Sequence, residues 1–359
     1  MSLRFNHLLA LGAASALALS ACTDSTAPSF DGNFDAAATS ASLQSVDDAF
    51  DTPAYQSLAA MGGEFVVGGG VPAASVSLLR AASNAMTVNE QAQLAAQQIA
   101  AAVAAPAAIL IPEEYRGLTY VYVQGEGYQV DPERTDGPAT GVRFILYTVA
   151  VNPVTGEITD VLDEIGYADL IDESTDTQAA ARLTVVSEGV TYLDYVVSAE
   201  GPPTAPSFNI NGFITDGDAT AEFSLTVAIQ STFAGTTISL DYTIDIGDFS
   251  IDLTLLAEGD GAGGSATVAL TFTHQEHSVL VAGTIENDTG TLTVTANGST
   301  FATITFNPTG LTVVDGDGQP LDQDEINALK KLMDMVQDVF AVWDNLYRPV
   351  SFLFEGPQP

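Results

Sequence analysis

Two histidines and a glutamate, the residue types that bind zinc, lie within one short stretch of the chain. His274, Glu276 and His277 are separated by a single intervening glutamine. If Gln275 and Glu276 form a hairpin turn, the two imidazoles face each other across the end of that hairpin. Two imidazoles and a carboxylate could hold Zn²⁺ with one open coordination position. The alternatives are contact with the headgroup of a ligand, or a pair of solvated polar residues at a turn.

A second group of chemically competent residues is acidic. Asp315, Asp317 and Asp322 offer the oxygen ligands that Ca²⁺ prefers. An EF-hand loop needs glycine at its sixth position and glutamate at its twelfth, and counting from Asp315 these positions hold Pro320 and Ile326. The spacing therefore excludes an EF-hand and leaves a looser calcium site, or an acidic turn between a strand and a capped helix. Otherwise we expect no cofactor, and only non-specific divalent cations that screen the carboxylates.

Catalytic motifs are missing from the sequence. It has no Gly-x-Ser-x-Gly elbow, phosphate-binding loop or dinucleotide fingerprint, and its single cysteine lies in the N-terminal segment. Asp288-Thr289-Gly290 is the tripeptide of aspartic proteases, whose chemistry needs two such carboxylates, and the chain has one copy. The same three residues are well suited to a hairpin turn. We predict that the protein is not an enzyme and has no catalytic residues.

The N-terminal segment has the layout of an export signal. Arg4 precedes an apolar run over residues 8–19, which is too short and too rich in alanine and serine for a spanning helix. The run ends in Leu19-Ser20-Ala21-Cys22, which resembles the lipobox of bacterial lipoproteins. That resemblance implies removal of residues 1–21, acylation of Cys22 and a membrane anchor built on its acyl chains. The alternative is an ordinary secretory signal with a chance cysteine.

The residues after Cys22 bear on localisation. Thr23 stands where many Gram-negative lipoproteins retained at the inner membrane have aspartate, so the resemblance favours the outer membrane over the inner. Residues 22–41 are mostly small and polar, which predicts a flexible tether. We expect a cell-envelope protein that is lipid-anchored and faces the periplasm or the cell surface.

Charge excludes several classes of partner. The 359 residues include nine Lys and Arg against 46 Asp and Glu, for a net charge of −37. Nucleic acids and anionic lipid headgroups are bound through cationic patches, which this chain does not have. The membrane is therefore expected as a partner through the acyl anchor alone, and the sequence identifies no protein partner.

The periodicity of the sequence changes along the mature chain. Residues 42–112 carry helical signals, among them Thr52-Pro53 as a helix start and a helix over 88–105. From residue 113 to residue 314 apolar residues recur at every second position, between turns such as Glu188-Gly189 and Asn297-Gly298. Connections this short predict antiparallel hairpins.

The hairpin over residues 240–254 shows how the two faces of the sheet differ. A turn at Gly247-Asp248 places apolar residues on one face and Asp241, Asp245 and Asp252 on the other. With the next strand, the candidate apolar ligand face comprises Tyr242, Ile244, Phe249, Ile251, Leu253, Leu270 and Phe272. The same arithmetic around Asn297-Gly298 puts Ile304 and Phe306 on the polar side, so a β-bulge or a second covering layer is needed there.

A C-terminal helix is predicted over residues 322–347. Asp322 and Glu325 have the spacing of a capping box, and apolar residues from Ile326 to Tyr347 recur at steps of three and four. A helix with this stripe needs a large apolar surface, so we expect it to pack on the apolar face of the sheet. Trp343 lies on the stripe.

Together these features predict a single α+β domain over residues 42–359. Its centre is a long, curved antiparallel β-meander, an open or half barrel, with N-terminal helices and the C-terminal helix on its apolar face. This arrangement resembles the open-barrel lipid carriers of bacterial envelopes, which implies that an apolar, lipid-like molecule binds on the concave face. The alternative is a structural or adhesive envelope lipoprotein with a filled core and no ligand.

Overall fold

The computed structural model describes residues 52–61 and 110–332, apart from short gaps at 125, 152–157, 203, 234, 260–262, 288, 309, 324, 328 and 331. The predicted signal peptide, Cys22, the tether, the helix over 88–105 and residues 333–347 of the C-terminal helix lie outside these residues. The helical elements are α1 (Pro53–Met61), a 3-10 turn (Glu113–Tyr115) and α2, which starts at residue 323. No helix in the described part of the chain has the length and hydrophobicity needed to cross a membrane.

Strands dominate the described residues. They are β1 (Thr119–Val123), β2 (Gly127–Val130), β3 (Gly141–Val151), β4 (Ile158–Asp172), β5 (Gln178–Ser187), β6 (Val190–Glu200), β7 (Ser207–Thr215), β8 (Thr220–Thr232), β9 (Gly235–Ile246), β10 (Phe249–Gly259), β11 (Gly264–His274), β12 (His277–Glu286), β13 (Thr289–Ala296), β14 (Ser299–Asn307) and β15 (Gly310–Asp315).

All fifteen strands belong to one open sheet in which neighbours in sequence are, with one exception, neighbours in space. The order runs from β15 down to β3 and then β1 and β2, and only β1 and β3 pair in parallel. The predicted long antiparallel meander is therefore confirmed. The predicted α+β description, with helices covering the sheet, is not confirmed, because the described residues contain few helices.

The described residues fall into two compact units, residues 52–61 and 110–224 in one and residues 225–332 in the other. In the first unit α1 packs on β3 to β6, with Leu58 fully buried. The side chain of Ser57 accepts a hydrogen bond of 3.1 Å from the backbone N–H of Tyr147, where the β3–β4 register shifts. A bulge leaves backbone groups without a ladder partner, and here the helix supplies one. The predicted helix start at Thr52-Pro53 is confirmed.

The second unit confirms the predicted register of the hairpin over residues 240–254. Ile246 pairs with Phe249, Ile244 with Ile251 and Tyr242 with Leu253, as a two-residue turn at Gly247-Asp248 requires. All six are buried, with exposures of 7% or less. The positive φ angle of Gly247, 57°, explains the glycine at the first position of this turn.

The bulge required near Asn297-Gly298 is present. The register between β13 and β14 shifts after Val294, which pairs with Ala302, whereas Thr295 pairs with Thr300. Phe301 is the extra residue. Beyond it Ile304 pairs with Leu292 and is 3% exposed, so it lies on the buried face rather than on the polar face.

The beginning of α2 also follows the sequence. The Asp322 carboxylate accepts a hydrogen bond of 2.9 Å from the backbone N–H of Glu325, and the Glu325 carboxylate accepts one of 2.8 Å from the N–H of Asp322. This reciprocal pair is the predicted capping box, which satisfies two backbone donors at a helix start.

Stability should depend on the buried face of β10 and hardly at all on its exposed face. Ile251 is 0% exposed and Leu256, on the same strand, is 43% exposed. We expect Ile251→Ala to lower the free energy of unfolding by about 2–5 kcal/mol, because it leaves a cavity in a packed core. Leu256→Ala is the control and should change it by less than about 0.5 kcal/mol in a urea titration. Equal effects of the two substitutions would contradict this assignment of the faces.

Candidate functional site

The candidate apolar ligand face is assembled as predicted, but its side chains are already covered. Phe272 pairs with Ile251 and Leu270 with Leu253, so β9, β10 and β11 contribute to one face. All seven predicted residues are buried, and the most exposed of them, Leu253, retains 6% of its accessible surface. A side chain that lines an empty cavity large enough for water keeps accessible surface toward that cavity. Ile251 and Phe272, at 0%, therefore line no empty cavity of that size, and the other five side chains have little surface left for one.

Tyr242 brings a phenol into this apolar layer. It is 3% exposed, and burial raises the pKa of its hydroxyl. Burying a neutral phenol in an apolar environment costs much less free energy than burying a charged carboxylate.

The two histidines lie at a hairpin end, as predicted. His274 pairs with His277 across the turn, and the φ angle of Gln275 is 56°. The register places both on the face of Phe272, and both are half-buried, while Glu276 is exposed. The turn is attached to the neighbouring hairpin by a hydrogen bond of 3.1 Å from the N–H of Gln275 to the carbonyl of Asp248.

Two of the three predicted calcium residues, Asp315 and Asp322, have carboxylates that accept backbone hydrogen bonds. The Asp315 carboxylate accepts hydrogen bonds from the N–H groups of Asp317 (2.9 Å) and Gln319 (2.7 Å). Asp322 is occupied in the capping box of α2. Within the described stretches of the chain, no three or more His, Cys, Asp or Glu residues are grouped so as to hold a metal ion. The structure thus brings neither His274, Glu276 and His277 nor the three aspartates together as a metal centre.

The outer face of the second unit is acidic and hydroxyl-rich. On the β9–β10 pair, Asp252 lies opposite Thr243, and Asp245 lies opposite Ser250. The two carboxylates are therefore diagonal neighbours on the same face. The pKa of Asp252 is raised, first by partial burial and second by the Asp245 carboxylate. Between Arg182 and Lys330 the sequence has no lysine or arginine. The strands next to Asp245 and Asp252 therefore offer no lysine or arginine with which either carboxylate could form a salt bridge.

Five exposed threonines form a straight line across five adjacent strands, β11 to β15. We call this line the threonine row; each member pairs directly with the next, in the order Thr267, Thr284, Thr291, Thr305 and Thr312. The hydroxyl oxygens of Thr267 and Thr284 are 3.1 Å apart, within hydrogen-bond distance. Cross-strand threonine pairs stabilise antiparallel sheets, so the row supports the sheet without adding charge.

An open polar groove of about 610 Å³ lies at the ends of β8 to β12. On its floor Ser265 pairs with both Glu258 and Glu286. Its wall is fixed by Asn287, whose side-chain oxygen accepts a 3.2 Å hydrogen bond from the N–H of Gly264. Its lining consists of glycine and polar residues, so it is unsuited to an apolar ligand and is separate from the predicted apolar face.

The arginines of the first unit are all paired with carboxylates. Arg143 makes a bidentate contact with Asp169 (2.7 and 2.8 Å), contacts Asp136 at 2.9 Å and lies 3.6 Å from the centre of the Tyr167 ring. Desolvation opposes ionisation of Asp136, but hydrogen bonds from Thr119 and Arg143 outweigh it and lower its pKa. Other ion pairs join Arg116 to Asp172, Arg134 to Asp131 and Glu164, and Arg182 to Glu173 and Asp194.

Arg143 and Arg182 thus both pair with acidic residues of neighbouring strands and turns, while Arg348 lies outside the described residues. The threonine row, the polar groove and the stacking of Arg143 on Tyr167 were not anticipated. For the threonine row the signal was present as alternating threonines in Thr291-Leu292-Thr293-Val294-Thr295. The groove could not be predicted, because it is formed by residues at the strand ends and in the loops, whose positions the alternation of apolar and polar residues does not determine.

No protein-family model, curated protein or solved structure matches the chain. The function is therefore argued from the chain's own residues.

The raised pKa of Asp252 predicts a specific pH dependence. A carboxyl whose folded-state pKa exceeds its unfolded-state pKa destabilises the folded chain when ionised, and this penalty disappears as the pH falls through the folded-state pKa. We expect Asp252→Asn to raise the free energy of unfolding at pH 7 by a few tenths of a kcal/mol, and by nothing at pH 3.

Asp218→Asn, in an exposed turn of the first unit, is the matched control and should have no effect at either pH. Thermal unfolding at both pH values provides the measurement. A loss of stability in Asp252→Asn at pH 7 would mean that the carboxylate makes a favourable interaction.

Proposed function

We propose that this chain is a lipid-anchored structural protein of the bacterial cell envelope, whose sheet has a core filled by its own side chains. The observation that carries the proposal is the burial of the predicted ligand face, where Ile251 and Phe272 are 0% exposed. A ligand could enter only by displacing protein atoms from these residues. That costs the burial free energy of about 25 cal/mol for each Å² of apolar surface uncovered.

The outer surface supports the same proposal. It presents carboxylates, threonines and serines on one face of β9, β10 and β12 in the second unit, as in β9, where Asp241, Thr243 and Asp245 alternate with buried residues. Such a face stays hydrated and is repelled by anionic headgroups. On a tether of about twenty residues, with a root-mean-square length on the order of 25 Å, the domain would remain near the membrane without lying on it.

The chemistry available in the described residues gives no support to an enzymatic role. The groove at the strand ends holds Glu258 and Glu286 separated by the strand that carries Ser265. General acid–base catalysis needs a titratable group positioned and tuned for its task. The rest of the groove's lining is glycine, threonine, serine and asparagine, which offers neither glutamate a second acid–base group, so a non-enzymatic function remains our proposal.

A second candidate function is transport of an apolar molecule, which the resemblance to open-barrel lipid carriers implies. What favours it is the extent of the apolar face, which continues from Tyr242 in β9 to Ile304 in β14. On a face of this size, a lipid could displace some of the protein atoms that cover it. The two candidates differ in one measurable property, saturable binding of an apolar probe.

A fluorescent fatty acid titrated into the mature chain carrying Cys22→Ser provides that measurement. We expect no saturable binding, because the apolar face is filled. Two variants make the result decisive: Leu253→Asp changes the buried face of β10 and Asp252→Asn changes the exposed face next to it. Saturable binding that Leu253→Asp abolishes in a chain with unchanged circular dichroism, and that Asp252→Asn preserves, would overturn the structural proposal in favour of the carrier.

Membrane attachment is tested separately through Cys22. We expect radioactive palmitate to label the wild-type chain in cells and to be lost completely in Cys22→Ser, because the thiol is the site of acylation. Ser20→Ala keeps the cysteine, so it serves as the control and should be labelled. Persistent label in Cys22→Ser would contradict the lipoprotein assignment, whatever the outcome of the binding experiment.

A further inference from the structure

The last strand of the sheet, β15, presents hydrogen-bonding groups that no described strand pairs with. Strand β15 is at the end of the strand order, and its only strand partner in the described chain is β14. The backbone N–H of Asp315 donates to the carbonyl of Gln319, so it points away from β14. Because backbone groups alternate in direction along an antiparallel strand, those of Val313 and Leu311 also point away from β14.

Among the described residues, this edge has no charge inside the strand, no proline, no bulge and no covering strand. Natural edge strands are protected by charged side chains, by proline, by bulges or by a covering segment. Strand β15 reads Gly-Leu-Thr-Val-Val-Asp, with its single charge at the end, and Leu311 is 38% exposed. Strand β2, at the other end of the strand order, is shorter and is flanked by Glu126 and Asp131.

The charge distribution indicates which partner the edge fits. The chain carries a net charge of −37, yet no charged residue occurs between Asp288 and Asp315. Strands β13 and β14, and β15 up to Val314, therefore form an uncharged margin of a strongly acidic protein. Two copies of this chain repel each other wherever carboxylates meet. At this margin they can approach without bringing carboxylates together.

We propose that β15 pairs antiparallel with β15 of a second copy, about a two-fold axis at Thr312. In this register the backbone N–H and C=O of Leu311 bond to those of Val313 in the second copy, which gives two hydrogen bonds. Val313 bonds in the same way to Leu311 of the second copy, so the contact has four backbone hydrogen bonds. The two Thr312 residues are then direct neighbours. The threonine row continues from one copy into the other, and ten threonines lie in line.

The contact is small because Asp315 is already bonded to Gln319, which limits the open edge to Leu311 and Val313. Interfaces of this size give weak association in dilute solution. Copies that share a membrane anchor are confined to one surface, which raises their effective concentration and makes a weak contact significant. The pairing does not depend on the proposed structural function, because the edge is equally open whether the core is filled or holds a ligand.

Disulfide trapping in cells tests the register. In the proposed pair the two Thr312 Cα atoms are about 4.5 Å apart, within the range of about 4.4–6.8 Å for a disulfide. Thr305 is its neighbour in the same row, and the two Thr305 residues would be three strand spacings apart, about 14 Å. The chain has a single cysteine. That cysteine, Cys22, is kept, because the acyl anchor proposed for it confines the copies to one surface. The chain with no introduced cysteine is the control for any disulfide through Cys22 itself.

Under a mild oxidant we expect Thr312→Cys to form a disulfide-linked dimer of twice the chain mass, and Thr305→Cys to form none. Adding Val313→Pro to Thr312→Cys removes an outward N–H without touching the β14–β15 hydrogen bonds and should abolish the dimer. Val313→Ala keeps that N–H and should preserve it. Both Val313 variants are checked for an unchanged circular dichroism spectrum.

Three results would overturn the proposal. The first is a Thr312→Cys thiol that reacts with maleimide yet forms no dimer. The second is equal crosslinking of Thr305→Cys, which would indicate random collision, and the third is a crosslinked product of another mass, which would indicate a different protein on this edge. The expected dimer rests on the proposed membrane anchor for its effective concentration, but not on the filled core. Palmitate labelling of the same cells therefore distinguishes failure of the anchor from failure of the pairing, and saturable binding of a fatty acid leaves the expected dimer unchanged.

Discussion

The alternation of buried and exposed side chains along each strand is the constraint on which the rest of this structure depends. In an antiparallel sheet, a shift of one residue would turn every buried side chain of a strand outward. The turns prevent such shifts, because Glu188, Gln275, Asn287 and Asn297 adopt positive φ angles that fit only tight turns. Where the sequence itself breaks the alternation, the bulge at Phe301 absorbs the extra residue and returns Ile304 to the buried face.

The same alternation determines where the charge can go. In the first unit the few arginines offset the acids in specific pairs, such as Arg143 with Asp169. The described strands of the second unit have no such cations, and there the carboxylates are separated by threonine and serine, as Thr243 separates Asp241 from Asp245. This separation is incomplete between β9 and β10, where Asp252 lies diagonal to Asp245. The pKa of Asp252 is raised, first by partial burial and second by the Asp245 carboxylate. The last three strands carry almost no charge, and this leaves an edge at which like-charged copies can meet.

The sequence was sufficient to predict the antiparallel meander, the hairpin register at Gly247-Asp248 and the capping box at Asp322, and near Asn297-Gly298 it left a bulge or a second covering layer as alternatives. Each of these depends on local chemistry, namely period-two patterning, turn residues or reciprocal hydrogen bonds. The helix cover could not be established in the same way, because packing of a helix on a sheet depends on long-range contacts that patterning does not encode. The candidate calcium residues share a sequence neighbourhood, but one oxygen of the Asp315 carboxylate accepts two backbone hydrogen bonds from its own turn, which spacing alone did not reveal.

We propose that the apolar face of the sheet is filled by the chain itself. Thiol accessibility along neighbouring strands measures this, with single cysteines at Leu292 and Ile304 on the buried face and at Thr291 and Thr305 on the exposed face. We expect the threonine positions to react at the rate of a free thiol, and the two buried positions to react orders of magnitude more slowly, limited by local opening of the sheet. Rapid reaction at the buried positions, slowed by added fatty acid, would reveal an exchangeable apolar site and contradict a filled core.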